Sequence, residues 1–150
     1  MKMLVCVDGS KHSMKAVEEA VKIAGGCNIN DVSIIHVCES KLDWRSMPQE
    51  GPVSKEDMER FKNYMHQCDY DNNQKVLLEA KDIFASNNIE AKTIFKEGHP
   101  AQTIADVANE EGYDMVVIGS RGLGGLKKLF LGSVSSAVIQ EVKSNVYVVK

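Results

Sequence analysis

The chain lacks any apolar run approaching the ~20 residues a helix needs to span a bilayer, so no membrane-spanning helix is expected. It also lacks a basic excess. Eighteen Lys and Arg against 21 Asp and Glu leave a formal charge of -3, which argues against a general nucleic-acid binder with its basic face. Its cysteines, Cys6, Cys27, Cys38 and Cys68, form no Cys-x-x-Cys pair. Neither a zinc site nor a disulfide framework is therefore expected, and reduced thiols in a cytoplasmic protein fit better. The opening Met1–Asp8 is too short and too soon interrupted by Asp8 to read as a secretory leader, and it reads instead as a first strand. Internal repeats and low-complexity tails are absent as well.

What is present is an ordinary globular composition, 43% hydrophobic and 26% charged over 150 residues. That length suits one domain covering 1–150 and buries roughly 70% of the unfolded surface. Short β-branched runs alternate with longer segments of helical period. Strands are expected at Met3–Val7, Val32–Val37, Ala91–Lys96, Met115–Ile118 and Val146–Val149. Between them, Ser10–Ala24 carries Met14, Val17, Ala20, Val21 and Ala24 on one helical face and is expected to stop at Gly25-Gly26. A loop is expected over Cys38–Val53. A helix follows from Ser54 with Met58, Phe61, Met65 and Cys68 on one face, an interruption at Asp71-Asn-Asn73, and an end at Asn87-Asn88. Pro100 suits the first position of a third helix, and Ser133–Lys143 forms a fourth.

Five strands joined by helical crossovers imply an α/β fold, a single doubly wound five-stranded parallel sheet with helices on both faces. Ligands of such sheets sit beyond the carboxyl ends of the strands where the strand order reverses. The order 3-2-1-4-5 would bring the loop after strand one, Asp8-Gly9-Ser10, against the loop after strand four. That second loop is glycine-rich: Gly119-Ser-Arg-Gly122, nine residues, then Gly132-Ser133 at a helix start. Glycine lets backbone amides approach an anion, and a helix N-terminus aims further amides with the dipole behind them. The arrangement reads as a nucleotide-phosphate site, with a ligand-free tight turn as the plain alternative. It is not a Walker loop, since no G-x-x-x-x-G-K-[ST] occurs. The G-x-G-x-x-G begun at Gly122-Leu-Gly124 fails at Lys127.

The spacing Gly119-x2-Gly122-x9-Gly132-Ser133 resembles, without a gap, the motif of ATP-binding universal stress proteins. The flanks Val116-Val-Ile-Gly-Ser-Arg-Gly122, Leu131-Gly-Ser-Val-Ser135 and Val146-Tyr-Val-Val149, with Val5-Cys-Val-Asp8-Gly-Ser10 at the start, extend the likeness over essentially the whole chain. The resemblance implies an adenine nucleotide alpha hydrolase-like fold that holds ATP, with AMP or ADP as possible competitors and Mg2+ carried through the phosphates. It implies that Val7, Asp8, Gly9 and Ser10 form the adenosine-side loop, with Asp8 accepting hydrogen bonds from the nucleoside. A turn or cap role is the alternative for Asp8. It further implies that Val37 pairs with adenine through its backbone. Gly119, Ser120, Arg121, Gly122, Gly132, Ser133, Val134 and Ser135 would then wrap ribose and phosphates. A homodimer through the last strand, Val146–Val149, is the expected assembly.

The remaining inventory is less specific. Lys127 and Lys128 lie near the expected outer phosphates, or are simply solvated. Trp44 suits either a lid or a residue packed on its own domain. His36 reads as a packed strand residue. His12, His66 and His99 lack matching Ser or Cys partners, and adjacent His12 and Ser13 point apart on a helix. No base-plus-nucleophile constellation is evident, so the expected role is a nucleotide-dependent regulatory switch with at most slow hydrolysis. Two alternatives are a nucleotide-free interaction dimer and an ATP pyrophosphatase or adenylyl-transferring enzyme. The latter's S-G-G-x-D-S loop is not matched by Asp8-Gly-Ser-Lys-His-Ser13.

Overall fold

The runs Met3–Val7 and Met115–Ile118 are apolar on both sides, which is what strands in a sheet covered on both faces require. The computed structural model describes residues 1–39, 55–123 and 131–150. Within it β1 (Lys2–Cys6), β2 (Asp31–Cys38), β3 (Ala91–Glu97), β4 (Met115–Gly119) and β5 (Asn145–Val149) form one parallel sheet in the order β3-β2-β1-β4-β5. The fold class and the strand order expected from sequence are both observed. Parallel neighbours need crossovers, supplied by α1 (Lys11–Cys27), α2 (Lys55–Ser86), α3 (Pro100–Glu110) and α4 (Ser133–Glu141).

Alternation along β1 divides the core. Met3, Val5 and Val7 join a layer with Val17 and Ala20 of α1 and with Leu77 and Phe84 of α2. Leu4 and Cys6 face the other way, into Ile104 and Ala108 of α3 and Val138 of α4. Each fully buried Val, Leu or Ile in these layers contributes about 1.5–3 kcal/mol. This central, doubly covered position fixes β1 and leaves its carboxyl end as the floor of whatever lies above.

Two sequence expectations are corrected. α1 does not stop at Gly25-Gly26 but runs to Cys27, and Asn28 closes it in the left-handed region at φ 52, its N–H bonding the Ala24 carbonyl. Two exposed glycines cost a helix about 1 kcal/mol each, which the buried stripe Ala16, Val17, Ala20, Val21 and Ala24 outweighs. Nor does Asp71-Asn-Asn73 interrupt α2, which continues through it to Ser86. The stop at Asn87-Asn88 is observed, with Asn88 left-handed at φ 59. The expectations for the loop over 40–53, Trp44, Lys127 and Lys128 lie outside the described residues, as do those for the side chains of Met58, Phe61, Met65, His66 and Cys68. Among the described residues no helix is long and apolar enough to cross a membrane.

Candidate functional site

β1 lies between β2 and β4, so the strand order reverses at β1 and β4 and their following loops flank one opening. Past β1 the chain turns at Gly9, whose φ of 79 a side chain would strain. Ser10 then caps α1, its hydroxyl accepting from the Ser13 N–H at 3.2 Å. Asp8 ties the two loops together. Its Oδ1 accepts from the Ser10 N–H at 2.9 Å, and its Oδ2 accepts from the Leu123 N–H at 3.2 Å across the opening. Asp8 is thus a turn residue and also the latch on the glycine loop.

The three motif glycines are demanded by different neighbours. A Cβ on Gly119 would stand 2.7 Å from the His12 carbonyl carbon and 2.9 Å from the Ser13 nitrogen, so this glycine admits the first turn of α1. A Cβ on Gly122 would stand 2.5 Å from Asp8 Oδ2, so this one admits the latch. Gly132 is in ordinary contact, 3.4 Å from the Ser120 carbonyl. Ser120 is the splice between these parts. Its N–H donates to the Val149 carbonyl at 2.6 Å, and its own carbonyl accepts from the Gly132 N–H at 2.7 Å. The Ser135 hydroxyl lies between the carbonyls of Gly132 at 3.0 Å and Ser120 at 3.1 Å.

α4 therefore starts at a fixed place with its amides open. Gly132 is its N-cap and supplies no side-chain cap. The first helical bond is from the Ser136 N–H to the Gly132 carbonyl at 3.0 Å. The amides of Ser133, Val134 and Ser135 precede that bond and have no helical acceptor. They border a cleft of about 430 Å³, within the size range of small-molecule sites.

Ten of the expected residues line this cleft: Val7, Asp8, Val37, Gly119, Arg121, Gly122, Gly132, Ser133, Val134 and Ser135. Gly9, Ser10 and Ser120 do not; they shape the loops from behind, with Ser10 and Ser120 buried. Cys6, Ser13, Ile35, Pro100, Ile104, Ile118, Leu123 and Leu131 also line it and were not singled out from sequence, whereas Ser136, expected with Ser133 and Ser135 to offer a hydroxyl at that helix start, lines it as well. Period-two alternation back from Val37, which gives Ile35, and the start of α3 were the available signals. The apolar wall of Cys6, Ile35, Val37, Ile104 and Ile118 suits a flat ring; the amide end suits an anion. Burial pushes the Cys6 thiol well up, and the nearby Asp8 carboxylate adds to this, so Cys6 stays a neutral, unreactive part of that wall. Among the described residues no three His, Cys, Asp or Glu side chains gather as a metal site.

The whole of residues 1–150 matches the family model described as the universal stress protein family. Universal stress protein YxiE of Bacillus subtilis is 36% identical over 140 residues, covering 93% of this chain and 91% of the relative. Among solved structures, universal stress protein UspA from Lactobacillus plantarum superposes with a TM-score of 0.80 at 21% identity, over 100% of this chain and 97% of that one. Two further structures of the same fold are a universal stress protein in complex with cAMP and one from Archaeoglobus fulgidus in complex with dAMP. Their TM-scores are 0.66 and 0.61, each at 22% identity, and they cover 100% of this chain and 96% and 98% of theirs.

Proposed function

The chain belongs to the universal stress protein family, and on that premise we propose that it binds ATP in the cleft beyond β1 and β4 and acts as a nucleotide-dependent regulatory switch in stress response. The observation that carries this reading is the start of α4. Three uncapped amides, at Ser133, Val134 and Ser135, stand beside a glycine loop already held in shape by Asp8 and Ser120. That is a pre-formed anion cradle. Several charge-assisted amide contacts of ~1.5–3 kcal/mol each are enough for micromolar affinity after ordering costs.

Adenine would lie against the apolar wall, with ribose near Asp8 and the phosphates toward Gly122, Gly132 and α4. AMP and ADP would share the base and ribose contacts, in keeping with the dAMP and cAMP held by the two structural relatives. Both Asp8 carboxylate oxygens already serve backbone amides. Magnesium would therefore ride on the phosphates, where it supplies charge neutralisation, and the chain's part is to orient the triphosphate. Any hydrolysis would be slow, driven by positioning and electrostatics. The acting species would be a homodimer joined at β5.

Calorimetric titration of nucleotide-stripped protein with MgATP, beside Gly122→Glu, tests the reading. The substitution places a Cβ against Asp8 and a negative charge in the cradle. Micromolar binding lost by at least tenfold in the folded variant is expected. Equal affinity in the two, or no binding by folded wild type, would reject it and turn attention to a nucleotide-free interaction module.

A further inference from the structure

On the face of the sheet opposite the cleft, one buried polar side chain joins three elements. His36 of β2 is only 6% exposed. Its Nδ1 lies 2.7 Å from the Val7 carbonyl, just past β1, and its Nε2 lies 2.8 Å from Oδ1 of Asn73 on α2. Its ring stacks on Phe95 of β3 at 6.2 Å between centroids. A carbonyl only accepts, so Nδ1 carries a proton, and Nε2 is held by the side-chain amide of Asn73.

The Val7 carbonyl is not an arbitrary acceptor. The Val7 N–H donates to the Ile35 carbonyl at 2.9 Å. The next rung of a parallel ladder would run from the Val37 N–H to the Val7 carbonyl. That rung is not made; the imidazole holds the carbonyl instead. Strand alternation turns the Val37 amide and carbonyl toward β1, where they are left for a ligand, and Val37 lines the cleft.

We propose that His36, braced by Asn73, is a positioning residue for the base subsite: by holding the Val7 carbonyl it keeps the peptide groups of Val37 available to the base. The proposal rests on the nucleotide reading above. An adjacent N–H and C=O complement the N1 acceptor and N6 amine of adenine. Guanine offers N1–H and O6 in the opposite sense, so base discrimination depends on the Val37 groups staying free.

ATP and GTP affinities of wild type, His36→Phe, His36→Asn and Asn73→Ala test this. His36→Phe keeps a ring on Phe95 but has no donor. It is expected to weaken ATP about tenfold, the scale of one ligand hydrogen bond, and to leave GTP unchanged, so that the ATP:GTP ratio falls toward one. Asn73→Ala should lower the ratio less. His36→Asn, whose Nδ2 reaches where Nδ1 does, should restore most of it. An unchanged ratio in folded His36→Phe, or equal losses for both nucleotides, overturns this inference and leaves ATP binding standing. Wild type that binds neither nucleotide overturns both. If His36→Phe does not fold, an unchanged ratio in Asn73→Ala overturns the inference in its place.

Discussion

At the residue scale, a glycine motif states a spacing and hides its reasons. Gly119 and Gly132 are equivalent in the pattern, yet only Gly119 has the backbone of α1 where its side chain would be, with contacts of 2.7–2.9 Å. Backbone cannot step aside as a flexible side chain can. Gly119→Ala is therefore expected to cost ~1–3 kcal/mol, as overpacking does, whereas Gly132→Ala should stay within about 1 kcal/mol, as for a Gly-to-Ala change at an N-cap. Urea denaturation of the two variants checks the contrast, and equal costs would refute it. The motif itself was legible because its spacing is local in sequence. The helix-packing demand on Gly119 was not, because His12 lies more than a hundred residues away in the chain and meets Gly119 only through the β1–β4 pairing.

At the element scale, boundaries were misjudged where a local signal met a buried stripe. Gly25-Gly26 is a sound stop signal by itself, but Asn28 closes α1 because Ala24 and the residues before it already commit the helix to the sheet. The same reasoning makes Gly25 expendable: nothing lies within 4 Å of its would-be Cβ, and the position is helical. Gly25→Ala should raise stability by roughly 0.5–1 kcal/mol, through helix propensity and a less flexible unfolded chain. Thermal unfolding should then move up by about 1–4 °C, and a lower midpoint would show that α1 needs the glycine. The Asp71-Asn-Asn73 run misled for a related reason. Its polarity reads as a loop, but Asn73 serves a buried partner, His36, on a neighbouring strand. Sequence shows the polar residue and not its partner.

At the scale of the whole molecule, the two edges of the sheet differ in a way that bears on assembly. The β3 edge carries Lys92, Lys96 and Glu97, charges of the kind that deter strand pairing. The β5 edge, Asn-Val-Tyr-Val-Val, carries none, and Tyr147 is a large exposed hydrophobic. The Asn145 N–H bonds the Asp114 carbonyl and the Val149 carbonyl accepts from Ser120, so the odd-numbered residues of β5 face β4. Alternation turns the peptide groups of Val146 and Val148 outward, where a second copy can pair with them. Proline removes an outward N–H without cutting the inner ladder, which is why edge strands tolerate it. Val146→Pro should therefore convert a dimer to a folded monomer, and Tyr147→Lys should weaken the dimer by charge at the same edge. Sedimentation equilibrium at tens of micromolar would report the change as a fall from twice to once the chain mass. A wild-type monomer would reject the dimer, and a Val146→Pro dimer of undiminished affinity would place the association surface elsewhere. Because Val149 is bonded to Ser120, and Ser120 to the N-cap of α4, a dimer formed at β5 would sit two hydrogen bonds from the proposed phosphate cradle.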